Sequence, residues 1–438
     1  SLLRIPPYIV AGKGQNGQYG LFIVIPFGRS AVQWWDSRMA QADIAIIGSG
    51  IVGIAIARGL KEIDGSLQIT IYERESSYGI HASARNSGVM HAGFYYSPES
   101  MKARFCREGR DELEQIAIKN SIPVKKVGKV VVAQNDDEEI RLKTLLERGK
   151  ANGVTLEILE ARDLKKIEPL AQTSGSFLWS PNTSISDPTL INAAIREDLI
   201  SRGVKFISHA VVSVKDGKWF CNNEAIEARY FVNAAGAWAL DLAQPLGVGS
   251  EFRTMPFLGL YKQTSIQELP IRTLVYPVPH PINPFLGVHF TLTIDGSVKI
   301  GPSALPIIGR DQYSFNSMPT FSELNSFGKN LVSLAKGSKH DLNAMMRYEV
   351  PKLATRNLVN ASANLVPDAK SVKQWKKKAP GIRGQLINKS TGELLQDFLV
   401  DHVRNSTHIL NAVSPGWTAS IPFGRHIAQT VAERLSSS

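Results

Sequence analysis

Gly48-Ser49-Gly50-Ile51-Val52-Gly53, preceded by Asp43-Ile44-Ala45-Ile46-Ile47 and followed by Ile54-Ala55-Ile56-Ala57-Arg58-Gly59-Leu60, is the stretch that decides the fold. Residues 43–47 have the length and apolarity of a short buried strand, and the small apolar residues after the glycines predict a helix to about Leu60. A second strand is predicted over residues 67–72 and ends at Glu73, about 20 residues beyond Gly53. Strand, glycine turn, helix and strand make one β-α-β unit. A GxGxxG alone is weak evidence, but in this context it is a dinucleotide fingerprint. Gly48 permits the tight turn, Gly50 lets backbone approach a pyrophosphate, and Gly53 lets helix and strand pack closely. The helix N-terminus faces the phosphate charge, and Glu73 is placed to accept hydrogen bonds from a ribose.

The surrounding chain sets bounds on this reading. Its 438 residues are 43% hydrophobic and 20% charged, as expected for a globular protein of two domains or one two-lobed unit. Cys106 and Cys221 are its two cysteines. They offer no metal-ligand spacing and imply no disulfide framework, which points to a reduced intracellular compartment. The net charge is +11, a balance compatible with nucleic acid, an anionic membrane or anionic small molecules. The basic residues are dispersed except for Lys373 with Lys376, Lys377 and Lys378, which read as a solvated face. No aromatic-basic pattern accompanies them, so nucleic acid is not expected, while peripheral membrane contact stays open. The apolar stretch over residues 44–57 is closed by Arg58, short of the ~20 residues of a membrane span.

Residues 1–41 differ in character. Arg4, Lys13, Arg29 and Arg38 stand against one acid, Asp36, and Met39 comes just before the first strand. An organelle transit peptide and an upstream translated stretch ahead of Met39 both fit, and the segment is left out of the fold. Further on, helices are predicted over residues 136–152 and 188–203, the second with Asp187 as N-cap and Gly203 past its end. Strands are predicted over residues 204–214 and 228–233. Residues 255–302 suggest a sheet with turns, residues 319–365 are mainly helical, and Pro380-Gly381 reads as a turn opening a return to strand.

FAD and NAD share the fingerprint, so other segments must decide between them. Ser83-Ala84-Arg85-Asn86-Ser87-Gly88 is a small polar loop suited to approaching a flavin ring or a pyrophosphate. Phe231-Val232-Asn233-Ala234-Ala235-Gly236-Ala237-Trp238 reads as a buried strand entering a small-residue turn. Val413-Ser414-Pro415-Gly416-Trp417-Thr418-Ala419-Ser420 leads into a terminal helix. Three such turns, far apart in sequence, suggest one cofactor threaded by the whole chain.

With Asn86-Ser87-Gly88-Val89-Met90-His91-Ala92-Gly93-Phe94-Tyr95-Tyr96, Val275-Tyr276-Pro277-Val278-Pro279, Phe285-Leu286-Gly287-Val288-His289-Phe290-Thr291, Asp295-Gly296, Ile300-Gly301-Pro302 and Pro380-Gly381-Ile382-Arg383-Gly384-Gln385 in view, the chain from Ala42 onward resembles the D-amino-acid-oxidase-type family of FAD-dependent oxidoreductases. Within it the resemblance is to the members that oxidise L-2-hydroxyglutarate to 2-oxoglutarate. Two departures stand out: Leu258 before Gly259, where the family often has arginine, and bulky Trp417 in the C-terminal turn.

The resemblance implies an α/β protein: a discontinuous Rossmann-type FAD domain over residues 42–110, 170–250 and 375–438, and a smaller α+β substrate domain over 111–169 and 251–374, built on a mostly antiparallel sheet. FAD is expected against Gly48, Gly50, Gly53, Glu73, Arg85, Asn86, Ser87, Gly88, Val212, Ala235, Gly236, Gly416 and Thr418. Oxidising a 2-hydroxy acid needs a base for the hydroxyl proton and cations for the carboxylates. His289 is the preferred base, with His91 as the alternative or as a group that polarises the flavin or positions substrate. Tyr95 and Tyr96 are possible hydroxyl donors. Arg383 is the expected carboxylate clamp because its guanidinium pairs bidentately, with Arg85, Lys262 and Lys299 as candidates for a second cation. Expected partners are a dicarboxylic 2-hydroxy acid and an electron acceptor: oxygen, a quinone or an electron-transfer flavoprotein. The expected location is cytoplasmic or peripheral to the inner membrane in a bacterium and mitochondrial in a eukaryote. The competing readings are another 2-hydroxy acid, an amino acid, a secondary amine or glycerol 3-phosphate on the same scaffold, an NAD-dependent dehydrogenase, and a non-catalytic FAD-bound protein.

Overall fold

The computed structural model describes residues 8–13, 19–24, 42–280, 285–313, 320–336 and 342–437. It divides into two units, residues 1–42 and 43–438. In the first, Tyr8–Lys13 and Tyr19–Val24 pair antiparallel as a hairpin. Met39 and the expectations attached to it lie outside the described residues. No helix among the described residues is long and apolar enough to cross a membrane.

The second unit contains a six-stranded sheet in the order Lys205–Ile207, Ile69–Tyr72, Ala42–Ile47, Ala228–Asn233, Ser406–Ile409, Val400–Val403, counted among the described residues. Its inner strands are largely buried, as in a sheet covered on both faces; Ile44, Ile46, Ile71 and Val232 are fully buried. Helix Ile51–Ile63 starts within the fingerprint, directly after Gly50, which is extended at φ −65°, ψ 169° and makes no side-chain cap. Its face packs on the C-terminal helix Ser420–Ser436 almost backbone to backbone. A Cβ on Gly59 would lie 2.8 Å from Ala428 Cβ, and one on Gly424 would lie 2.5 Å from the carbonyl carbon of Ala55. The last helix of the chain is thereby fixed to the first helix of the nucleotide fold.

A second sheet, nine-stranded among the described residues, is antiparallel except where Leu274–Pro277 runs parallel to Lys129–Val132. Its longest ladder joins Phe252–Ser265 to Lys376–Asn388, with Phe257 opposite Arg383 and Gly259 opposite Gly381.

Four sequence expectations are corrected here. Residues 204–214 do not form one strand. Lys205–Ile207 joins the parallel sheet, His209 turns at φ +55°, and Val212–Lys215 pairs with Lys218–Cys221 in a separate small sheet. Ser176–Ser180 and Lys376–Asn388, assigned by sequence to the nucleotide-binding part, are strands of the second sheet because their ladders are to Lys129–Val132 and Phe252–Ser265. Helix Met101–Lys119 runs unbroken through the boundary drawn at 110 and buries Leu113, Ile116 and Ala117 in the core of the nucleotide fold. Pro380-Gly381 makes no turn. The pairing register shifts between Gly259 and Tyr261, and this bulge absorbs a proline that has no N–H for the ladder.

The contact between the first and last helices yields a test. Gly424→Val forces a branched side chain against the Ala55 backbone and is expected to lower stability by about 3 kcal/mol, the upper end of ordinary overpacking. Urea unfolding followed by circular dichroism measures it; an unchanged midpoint would show that the helices are not in contact there.

Candidate active site

The C-terminal ends of the parallel strands open into a cavity of about 530 Å³, within the range of small-molecule sites and at the edge where open α/β sheets bind ligands. Gly48, Glu73, Ala234 and Leu410 reach its wall from this side. Phe257, Gly259, Tyr261 and Arg383 reach it from the long ladder of the second sheet.

At the parallel-sheet end, the fingerprint is shaped by close approach. Gly48 has φ +105°, and a Cβ there would sit 2.4 Å from the Ala234 carbonyl oxygen. Gly53 is packed the same way against the Gly48 carbonyl, at 2.1 Å. Beside Gly50 no backbone intrudes: a Cβ there would meet the Ser83 side chain alone, in a tight contact 3.1 Å from its Oγ. The helix amide of Ile51 donates to Ser83 Oγ at 2.9 Å. Glu73 is buried and held in place: Ser49 N and Ser49 Oγ donate to its Oε2 at 3.1 and 2.5 Å, and Glu75 N donates to Oε1 at 3.1 Å. The kink at His209 brings Ala210–Val212 to the same end of the cavity, with Ala210 N donating to the Glu73 carbonyl at 2.8 Å.

At the other end, His91 follows the short strand Val89–Met90. Thr418 Oγ1 fastens this segment to the C-terminal turn, accepting from His91 N and donating to the Val89 carbonyl, both at 3.2 Å. His91 Nδ1 lies 3.4 Å from Lys129 Nζ. Burial first, then Lys129, then His289 hold the imidazole pKa well below its ordinary value, so the ring is neutral near pH 7. Arg383 projects on the same ladder face as Phe257, with its guanidinium 4.8 Å from the Phe285 ring centroid. Among the described residues no carboxylate pairs with it; burial lowers its pKa from the ordinary value while the Tyr96 and Tyr261 hydroxyls act to raise it. The other arginines of the wall are occupied: Arg310 pairs with Asp241 at 2.6 Å and Arg74 with Glu75 at 2.7 Å. Arg85 stacks on Tyr313 at 4.0 Å and donates to the Ile80 carbonyl at 3.1 Å.

The structure thus gathers most of the residues singled out from sequence. Gly48, Gly50, Glu73, Arg85, Asn86, Ser87, Val212, Ala235, Gly236, Gly416 and Thr418 line the cavity with His91 and Arg383. Gly53 and Gly88 do not; each instead lets backbone pass close, Gly88 by Ser186 O at 2.4 Å. Nor is His289 on the cavity wall. It stacks on Tyr276 at 3.8 Å, its Nδ1 donates to the Gly287 carbonyl at 2.7 Å, and burial drives its pKa down to about 3. On this placement His91 lines the cavity and His289 does not, a distinction that sequence position does not reveal. Lys262 and Lys299 also lie off the cavity wall. Leu258, the departure from the family pattern, turns to the opposite face of its strand against Leu305 and Ile307, away from the cavity. Trp417 lines the cavity and donates from Nε1 to Asn192 Oδ1 at 3.2 Å. Sequence reasoning missed Tyr261, His81, Tyr313 and Arg310; the aromatic density of residues 255–302 was the one signal, and it reaches only Tyr261.

These features fit a dinucleotide such as FAD. Side-chain-free backbone at Gly50, an uncapped helix N-terminus and a fixed carboxylate at Glu73 would hold the pyrophosphate and ribose, and the cavity continues to His91 and Arg383. Gly50→Val leaves the backbone unstrained but fills the phosphate approach. The variant is expected to fold and to lose FAD, measured by the flavin absorbance of the purified protein; full flavin occupancy would remove the phosphate site from Gly50.

Residues 43–430 match the family described as FAD dependent oxidoreductase. The chain is 33% identical over 408 residues to L-2-hydroxyglutarate dehydrogenase of Escherichia coli, covering 90% of this chain and 94% of that protein. It is 31% identical over 424 residues to the human mitochondrial L-2-hydroxyglutarate dehydrogenase, covering 90% and 89%. Among solved structures, the FAD-bound, dithionite-reduced L-alpha-glycerophosphate oxidase of Mycoplasma pneumoniae superposes with TM-score 0.70 at 21% identity, over 90% of this chain and 95% of that one. With the fingerprint, the cavity it opens into and a match that leaves out only the two ends, the chain belongs to the family of FAD-dependent oxidoreductases.

Proposed function

We propose that this protein oxidises L-2-hydroxyglutarate to 2-oxoglutarate. The observation that carries the reading is a guanidinium without a carboxylate partner among the described residues, Arg383, on the same cavity wall as a neutral imidazole, His91. A buried cation without a counter-ion is costly, and a carboxylate ligand offsets that cost. The names of the relatives supply the particular 2-hydroxy acid.

Arg383 holds the carboxylate next to the hydroxyl-bearing carbon through a two-pronged pair, which fixes that carbon in the cavity. His91 takes the hydroxyl proton. Its Nδ1 is engaged by Lys129, so Nε2 is the nitrogen that serves as base. Tyr261, buried with its hydroxyl pKa pushed up to about 12, stays protonated and is available as a donor to the substrate. Phe257 and Phe285 close the apolar side and exclude water. When bound, FAD supplies the hydride acceptor.

Anaerobic addition of L-2-hydroxyglutarate is expected to bleach the flavin spectrum of the purified protein, while glycine and glycerol 3-phosphate leave it unchanged; the reverse pattern would overturn the substrate. In stopped flow, His91→Ala should keep FAD and slow flavin reduction by about 10²–10⁴-fold. Arg383→Ala should raise KM and lower the reduction rate together, and Arg383→Lys should rescue only in part because a point charge lacks the planar fork. Parental kinetics in His91→Ala would remove the base role from that ring.

A further inference from the structure

The most unusual group near the cavity is Lys129. It is fully buried, at 0% exposure, on a strand whose next three residues, Val130, Val131 and Val132, are core. Its Nζ lies 4.2 Å from the Tyr276 ring centroid, 5.3 Å from that of Tyr95 and 5.5 Å from that of Phe94. Its one polar contact among the described residues is His91 Nδ1 at 3.4 Å. No carboxylate acts on it among the described residues; the charged-group influence is the thiol of Cys106. A lysine buried this way destabilises the fold relative to an apolar residue of the same length. The aromatic rings soften that cost through cation–π attraction but do not remove it. Packing alone does not call for an amine here.

We propose that Lys129 is a positioning residue for His91 and the far end of a proton relay. In this relay the neutral Lys129 amine accepts the His91 Nδ1 proton while His91 Nε2 takes the hydroxyl proton of the substrate. The inference rests on the assignment of His91 as the base. The balance is complete. The substrate O–H bond breaks to Nε2, the Nδ1–H bond breaks to Nζ, and the carbon-bound hydrogen leaves with its electron pair as hydride to bound FAD. The hydroxyl becomes a carbonyl, His91 ends neutral in its other tautomer, and Lys129 ends as an ammonium. The imidazole never carries a full charge in its buried setting, which is where burial would make an imidazolium costly.

The groups facing this pair come from every neighbouring element: Cys106 on helix Met101–Lys119, Tyr95 beyond His91, Tyr276 on Leu274–Pro277 and His289 on His289–Leu292. Burial pushes the Cys106 thiol up to about 12, raises the Tyr95 and Tyr276 hydroxyls above their ordinary values and lowers His289 to about 3, so all four are neutral and fixed near pH 7. Burial brings Lys129 itself down to about 7. The sign of the pH effect follows. Below that value the ammonium donates to Nδ1, the ring proton sits on Nε2 and the base is blocked. Above it the amine accepts from Nδ1–H and the Nε2 lone pair is free for the substrate.

The test uses FAD-loaded protein labelled with ¹⁵N-histidine, with the His91 signals assigned by their loss in His91→Asn. Between pH 5.5 and 9 the ring is expected to switch from the Nε2–H to the Nδ1–H tautomer, and flavin reduction by L-2-hydroxyglutarate is expected to rise over the same interval. Lys129→Met should abolish the switch and slow reduction by about 10²-fold. Lys129→Arg keeps a positive charge but cannot accept a proton, and should be no faster than Lys129→Met. A His91 tautomer that stays constant across the range overturns the relay, as does a parental reduction rate in Lys129→Arg. The tautomer reading needs no substrate and no variant of Lys129, so it decides the matter even where Lys129→Met does not fold. If the switch is present and L-2-hydroxyglutarate leaves the flavin oxidised, the substrate assignment fails and the relay stands. Bleaching without a switch overturns the relay and leaves the substrate assignment standing.

Discussion

Close approach of backbone to backbone at the fingerprint is the constraint on which the rest of the molecule depends. The Ala234 carbonyl occupies the space a side chain at Gly48 would need, and the Gly48 carbonyl occupies the space a side chain at Gly53 would need. Two strand ends and a helix start therefore meet with nothing between them. This brings the turn after Ala228–Asn233 over the same opening as the turn after Ala42–Ile47 and places the start of the helix, where Ile51 N donates to Ser83 Oγ, at the cavity. The contact of Gly59 and Gly424 with the opposing helix extends the same principle, drawing the C-terminal turn, and with it Thr418, against the segment that carries His91. A Cβ added at any of these points would move a wall of the cavity.

The second sheet completes the cavity through strand parity. Phe257, Gly259 and Tyr261 alternate with buried Leu258, and across the ladder Arg383 alternates with buried Ile382. Gly384 lets this ladder touch the turn of the nucleotide fold, where a Cβ would lie 2.6 Å from Ala237 Cβ. The two sheets are thus joined at the cavity itself. A ligand lying in it touches both.

Charge is distributed to match. A fixed carboxylate, Glu73, marks the parallel-sheet end, and its hydrogen bonds to Ser49 keep it from swinging toward the arginines of the wall. Arg74 and Arg310 are neutralised by Glu75 and Asp241, which leaves Arg85, stacked on Tyr313, and Arg383 as the wall arginines without a carboxylate partner among the described residues. Burial holds the His91 imidazole neutral near pH 7, with its pKa well below the ordinary value, and keeps His289 neutral beside it. One cavity thereby presents phosphate- and ribose-binding chemistry at one end and carboxylate and proton chemistry at the other.

The nucleotide-binding unit was legible in the sequence because its pattern is local: Gly48, Gly50, Gly53 and Glu73 fall within one β-α-β unit, although the Ala234 carbonyl that packs against Gly48 comes from a strand far along the chain. Helix Pro188–Ser201 was legible for the same reason, with Asp187 accepting from Thr189 N and Leu190 N as its residue type predicts. Arg383 and His91 were named because they sit in recognisable motifs. Which histidine faces the cavity was not legible, since a strand residue one position out of phase points to the other face, and phase is set by pairing with other segments, Gly301 opposite His289 and Ser184 opposite Met90. The same non-local pairing moved Ser176–Ser180 and Lys376–Asn388 to the second sheet and turned Leu258 away from the cavity. Lys129 was invisible for the strongest version of that reason: in sequence it is one lysine beside a run of valines, and only the folded packing of Tyr95, Tyr276 and His91 around it makes it a buried amine against an imidazole.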